Sequence, residues 1–227
     1  MQALREAGAQ VAVIDRDVHD HDPNAFAADV SSDVAIEQAF EAIAARFGRV
    51  SILVNCAGIA DPGPVQRRGV PMPLDDFRRV IEVNLIGAIN CIRCAVPQMI
   101  EGRAGPDAEA GVIVNTASIA AFDGQMGQAA YAASKAGVAG MVLPLARELG
   151  DHGIRVMAIA PGVFETPMTL NLSPKSREVV FAAVPPFPQR PGQADEFAAL
   201  VLAIVGNRML NGEVIRLDGG LRMPARL

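Results

Sequence analysis

At 227 residues, 51% apolar and with a mean hydropathy of +0.26, the chain has the length and apolar content of one α/β domain with a sizeable core, expected to span 1–227 without linker or repeat. Its net charge of −5 and pI near 5.2 argue against a broad nucleic-acid surface, and Arg67, Arg68, Arg78 and Arg79 read as solvated surface. Three cysteines give no disulfide framework, the start lacks a signal pattern, and no continuous apolar run approaches the roughly 18 to 20 residues of a membrane span, so a soluble cytoplasmic protein is expected, or a mitochondrial matrix protein if the source is eukaryotic.

The first eight residues read as the end of a helix terminated by Gly8, and 11–15 as a strand ending in Asp15. His19-Asp-His21-Asp22 then lies in a loop and reads as solvated polar chain rather than a metal site. A short strand at 26–30 precedes a helix opened by Ser31-Ser32-Asp33, with Ile36, Phe40, Ile43 and Phe47 at helical spacing and Gly48 closing it. The run 50–55 reads as a buried strand, 56–73 as a Gly- and Pro-rich loop, and 74–100 as a long helix kinked or ended early by Pro97. Within it, Cys91-Ile-Arg-Cys94 has C-x-x-C spacing but stands away from the end of a strand, where such a motif lowers a thiol pKa, so packing is the expectation. Strands at 112–116 and 155–160 flank a helix at 129–149; a Pro-rich stretch with a short helix at 175–184, a helix at 194–205 and a strand at 213–217 complete the chain. Alternating strands and helices imply right-handed crossovers and a Rossmann-like, doubly wound parallel sheet.

The only tyrosine, Tyr131, stands four residues before Lys135, one of two lysines. Positions i and i+4 share a helix face, so phenol and ammonium address one ligand. A nearby cation favours the phenolate and brings a phenol closer to useful acid/base strength at neutral pH. Ser118, in the loop after a parallel strand, is placed to bond the same substrate oxygen. On spacing alone a surface tyrosine and a solvated lysine weigh about as much, short motifs having many false matches. Further residues extend the pattern: Asn55-Cys-Ala-Gly58 and Pro161-Gly162-Val163 with Thr166 end two strands. Asn84, a poor helix former inside an apolar helical run, is expected to bond a neighbour or hold a water.

Together these residues resemble the classical short-chain dehydrogenases/reductases, whose Asn-Ser-Tyr-Lys tetrad falls on Asn84, Ser118, Tyr131 and Lys135. Asn55-Cys-Ala-Gly-Ile-Ala60, Asn115-Thr-Ala-Ser118, the stretch from Gly124 to Tyr131 and the stretch from Asn211 to Gly219 are similar to the 3-hydroxyacyl-CoA dehydrogenase type 2 branch, which also acts on hydroxysteroids. The resemblance implies hydride transfer between a carbinol carbon and NAD, with Tyr131 as acid/base, Ser118 polarising the substrate oxygen, Lys135 on the nicotinamide ribose and Asn84 in a water relay. It also implies that Asp29 and Val30 border the adenine, that Cys56 and Ala57 line the adenosine side, that Phe164 and Thr166 lie at the nicotinamide amide, and that Asn55, Gly58, Pro161 and Gly162 also bind the cofactor. Core packing weighs about evenly with lining for Val30 and Cys56, because the two overlap in this fold. A homotetramer is implied, without nucleic-acid or membrane partners.

Asp15 ends a strand where a carboxylate accepts from the adenosine ribose and repels a 2′-phosphate; Arg16 is the competing signal, and the carboxylate decides for NAD. Phe122, Met126, Phe164, Met168 and Leu172 are the expected apolar lining of a substrate pocket for an acyl-CoA or steroid-like molecule, with Gln125 as a polar contact. A Gly-rich turn normally precedes the acidic residue by about 20 positions. Only fourteen residues precede Asp15, and they hold no such turn. The expectation is therefore an N-terminally truncated form of the fold, without its central first strand, so that 11–15 and 26–30 stand unpaired from the other strands. An absent upstream segment is favoured over a natural short form acting as a cofactor-incompetent structural subunit. Within enzymes the alternative is a 3-oxoacyl thioester reductase.

Overall fold

The computed structural model describes residues 1–18, 22–170 and 174–225. Helix α1 (Gln2–Glu6) leads to the parallel pair β1 (Val13–Asp15) and β2 (Ala25–Ala27), which forms a sheet of its own. A second, four-stranded parallel sheet has the order β3 (Ile52–Asn55), β6 (Gly111–Thr116), β7 (Ile154–Pro161), β8 (Val214–Leu217). The sheet is thus split where the sequence placed the break. Between β3 and β6 lie β4 (Gln66–Arg67) and β5 (Val70–Pro71), an antiparallel hairpin inside the expected loop, then α3 (Leu74–Ile81), a π-helical turn (Glu82–Ile86) and α4 (Gly87–Glu101). Helix α5 (Ala129–Gly150) joins β6 to β7; α6 (Pro167–Leu170), α7 (Pro174–Ala182) and α8 (Ala194–Gly206) precede β8.

Strand alternation distributes the core over both faces. Ile154, Val156, Ala158 and Ala160 of β7, with Ile113 of β6, pack under α2 (Asp33–Phe47), α4 and α5, whereas Met157, Ile159, Val112 and Val114 meet Val201 and Ile204 of α8. Helix α2 begins where the sequence placed it, because the Ser32 hydroxyl accepts from the Ala35 N–H. Its entry is fixed by close approach: a β-carbon on Gly87 would stand 2.6 Å from Val30 Cγ2, and Asn90 Nδ2 donates to the carbonyls of Val30 and Ser32. Val30 therefore does pack into the core.

Of the kink or early end expected at Pro97, the early end does not occur: the helix runs on to Glu101. The merged helix Leu74–Glu101 and the helix Ala129–Gly150 are long and apolar enough, by length and composition alone, to cross a membrane. Their apolar character serves the sheet: Ile92, Ala95, Met99, Val138, Val142 and Ala146 are buried in the main core.

Candidate active site

The parallel strands end on one edge, and most of the site residues singled out above follow those ends. Asp15 closes β1, Asn55 closes β3, Ser118 follows β6 by two residues, and Pro161 closes β7. This is the crevice beyond the carboxyl ends of the strands where doubly wound sheets bind ligands.

Ser118 caps a short 3₁₀ turn, Ile119–Ala121, its Oγ accepting from the Ala120 N–H at 3.1 Å. Tyr131 and Lys135 lie one turn apart near the start of α5, with Lys135 Nζ 5.9 Å from the centre of the phenol ring. Lys135 is only 4% exposed, and Nζ donates to the Thr116 carbonyl at 2.8 Å. An ammonium carries three protons, so that bond leaves two for a ligand. Burial pulls the Lys135 pKa down to about 8. Burial also pushes the Tyr131 phenol up, and the hydrogen bond with Ser118 only partly opposes it. The sequence expectation that the cation would make the phenol more acidic is thus reversed, because desolvation of the phenol outweighs the hydrogen bond that opposes it.

Asn84 sits in the π-helical turn, 1% exposed. Its Oδ1 accepts from the Ile59 N–H at 2.8 Å, and its Nδ2 donates to the Ile59 carbonyl at 2.9 Å and to Ser134 Oγ at 3.0 Å. Ser134 Oγ in turn donates to the Tyr131 carbonyl. Of the two expected roles, the structure shows the side chain bonding neighbours, so Asn84 clamps the loop after β3 onto Ser134 in the second turn of α5. The clamp leaves little space: a β-carbon on Gly58 would lie 3.2 Å from Asn84 Oδ1 and 3.4 Å from Lys135 Nζ. A π turn widens the helix locally and is a recurrent feature of functional sites.

The other positions expected at the cofactor are each fixed by local contacts. Asp15 Oδ1 accepts from the Asp17 N–H, and Oδ2 faces no partner among the described bonds. Arg16, the competing signal, is turned onto Asp17 at 3.0 Å. Asp29 is tied to the Ser31 hydroxyl and N–H, which hold its carboxyl below the usual range. Asn55 Nδ2 bridges to Asn115 Oδ1 and the Ala88 carbonyl, fixing the strand end before exposed Cys56 and Ala57. A β-carbon on Gly162 would press within 3.0 Å of Asp218 Cβ. The Phe164 ring lies over Gly192, and the Phe164 carbonyl accepts from Thr169 Oγ1, beside which Thr166 stands.

The residues expected on the substrate side are placed as follows. Gln125 spends its Nε2 on the Pro224 carbonyl at 3.0 Å, and Phe122 and Met126 are exposed. Leu172 and His19–His21 lie outside the described residues, as does the side chain of Met168. Among the described residues no cluster fit for a metal occurs. Cys91 is buried, which pushes its thiol up to about 12, so the C-x-x-C pair lacks the thiolate that redox exchange needs. Two residues that the sequence did not single out carry dense polar networks: Arg155 under α8, mainly with backbone carbonyls, and Arg216 beside the 122–128 loop, with two carboxylates.

A family model described as Enoyl-(Acyl carrier protein) reductase matches residues 1–222. The chain is 50% identical over 202 residues to 3-hydroxyacyl-CoA dehydrogenase type-2 of Bos taurus, covering 88% of this chain and 77% of that protein, and 49% identical over 198 residues to the Homo sapiens protein of the same name, covering 86% and 76%. It is 40% identical over 188 residues to a 3-oxoacyl-acyl-carrier-protein reductase of Thermotoga maritima, covering 82% and 72%. A solved structure of 3-hydroxyacyl-CoA dehydrogenase type-2 from Mycobacterium avium superposes with a TM-score of 0.80 at 38% identity, over 89% of this chain and 78% of that one.

Proposed function

The chain belongs to the short-chain dehydrogenase/reductase family of nicotinamide-dependent oxidoreductases, and from that premise we propose that it oxidises secondary alcohols with NAD, its substrates being 3-hydroxyacyl-CoA thioesters. The observation that carries this reading is the convergence of Ser118, Tyr131 and Lys135 beyond the strand ends, with Lys135 buried and carrying protons to spare.

In alcohol oxidation the Ser118 hydroxyl bonds the substrate oxygen and holds the carbinol within reach of Tyr131. The deprotonated Tyr131 oxygen takes the hydroxyl proton as the C–O bond acquires double-bond character. NAD, which Asp15 and Lys135 would hold, would supply the acceptor for the hydride of the carbinol carbon. Lys135 donates to the ribose hydroxyls, and its charge stabilises the Tyr131 phenolate while the proton is away. In reduction the steps reverse and Tyr131 donates its proton.

The sign of the pH dependence follows from these shifts. Oxidation needs the phenolate, and burial raises the phenol pKa, so below about pH 8, where Lys135 keeps its proton, oxidation accelerates as pH rises. Reduction uses the phenol already present and does not accelerate with pH over that range. Initial rates in both directions check this; an oxidation rate independent of pH with chemistry rate-limiting contradicts it.

Asp15 supports NAD over NADP. Asp15→Ala removes ribose bonds and the repulsion of a 2′-phosphate, and is expected to weaken NAD use about tenfold, the value of roughly one good hydrogen bond to a charged group. Parallel NAD and NADP assays, with thermal shift as an activity-independent measure of cofactor binding, test the assignment. Preference of the wild type for NADP favours the second reading, a 3-oxoacyl thioester reductase, which the Thermotoga maritima relative supports. The same premise carries a homotetramer, supported by exposed Leu74, Ile86, Ile100 and Leu143 on the long helices. Light scattering of the purified protein reads its mass.

A further inference from the structure

The segment 122–128 has no regular structure, yet it connects Ser118 to Tyr131 and must be held for the two to cooperate. The C-terminal tail does much of the holding. The Met126 N–H donates to the Ala225 carbonyl at 3.0 Å, and Gln125 Nε2 to the Pro224 carbonyl at 3.0 Å. The tail also leans on the other side of the cleft: a β-carbon on Gly162 would stand 3.0 Å from Asp218 Cβ, and one on Gly219 would stand 2.7 Å from Pro185 Cβ.

Arg216, near the end of β8, joins loop and tail. Its Nε donates to Asp218 Oδ2 at 2.7 Å, and its Nη2 donates to Asp123 Oδ2 at 2.5 Å and to the Leu221 carbonyl at 3.1 Å. The guanidinium lies 5.3 Å from the centre of the Phe122 ring. Arg216 and Asp123 are each 21% exposed and Asp218 only 6%, so this network is better shielded than the surface pairs of the chain. A planar fork addressing two carboxylates at once is a geometry lysine lacks.

We propose that Arg216 is a positioning residue for the substrate: through Asp123 it fixes the 122–128 loop against the tail, and so sets where the acyl portion of the substrate lies relative to Ser118 and Tyr131. This rests on the dehydrogenase reading above, but the loop has a reporter that does not. Tyr131 is the only tyrosine and the chain holds no tryptophan, so intrinsic fluorescence and ultraviolet pH titration observe the active-site phenol alone.

The test compares the wild type with Arg216→Lys, Arg216→Met, Asp123→Asn, the Arg216→Met/Asp123→Asn double variant, and Arg49→Met as a remote exposed ion-pair control. KM and kcat are measured on a short and a long 3-hydroxyacyl-CoA with NAD, alongside NAD affinity, thermal melting and the Tyr131 optical signal. The expected result is a KM for acyl-CoA raised about tenfold, the loss expected for a shielded charged hydrogen bond, with the double variant no worse than the worse single. NAD affinity stays as in the wild type, Arg216→Lys recovers little, and the Tyr131 signal shifts in the Arg216 and Asp123 variants but not in Arg49→Met. Unchanged KM and Tyr131 signal, or losses of substrate and NAD binding in step with the melting temperature, overturn the proposal. If the wild type turns over no secondary alcohol with either cofactor, the dehydrogenase reading fails; an unaltered Tyr131 signal in the variants then overturns the positioning role as well.

Discussion

Replacing Tyr131 by phenylalanine removes one oxygen atom and is expected to lower turnover of a secondary alcohol by about a thousandfold or more, within the range attributed to a positioned general acid/base and its loss. The substitution leaves the helix and its packing in place. Ser134 and Asn84 hold the Tyr131 backbone, not its hydroxyl, so the melting temperature and NAD affinity stay near wild type. Lys135→Met tests the neighbouring link by a different route. It removes the buried cation beside Thr116 and the donors assigned to the ribose, so both NAD affinity and turnover fall. Retained turnover in Tyr131→Phe would move the acid/base role elsewhere.

The largest effect on stability is expected far from that site. Arg155 is 6% exposed and paired with Glu109 at 2.8 Å. It also donates to the carbonyls of Ile204, Val205, Asn207 and Leu210. These include the last carbonyls of α8, which have no partner within the helix, so one guanidinium satisfies the end of the helix that covers the second face of the sheet. Arg155→Met leaves the Ile204 and Val205 carbonyls at the end of α8 without that donor and leaves Glu109 with Arg208 as its remaining ion-pair partner. The expected cost is about 3 kcal/mol, for several buried carbonyls that lose one charged donor. For a domain of this size that lowers the melting temperature by on the order of 10 °C. Arg155→Lys keeps the charge without the fork and should fall between. A shift of about 2 °C or less in Arg155→Met would show that water replaces these bonds readily.

The alternation of strands and helices was legible because it rests on periodicity and punctuation. Ser32 and Gly48 bound α2 where a cap and a terminator are read, and the apolar runs of β6 and β7 are too continuous for half-exposed strands. Finer features left no such mark. Five residues of π helix around Asn84 do not alter a 3.6-residue pattern enough to be read. The β4–β5 hairpin turns on Arg68 and Gly69, both at positive φ, and Arg-Gly carries none of the signal of Asn-Gly. Pro97 is tolerated inside α4, where local propensity predicted a break.

In the site, Ser118, Tyr131 and Lys135 were readable because spacing on one helix and one loop brings them together. Arg155 and Arg216 were not, since their partners lie up to 55 and 93 positions away and isolated arginines advertise nothing. The direction of the Tyr131 shift was misread for a related reason: sequence shows the neighbouring lysine, while desolvation depends on how the packed chain encloses the phenol.

The most direct test is NADH formation from 3-hydroxybutyryl-CoA, followed for the wild type and Tyr131→Phe side by side at one pH below that at which Lys135 loses its proton. Steady NADH formation by the wild type and none above background by the variant is the predicted result. Equal rates in the two proteins, or no formation in either while NAD demonstrably binds, would contradict the assignment of Tyr131 as the proton-transferring group of an NAD-dependent dehydrogenase.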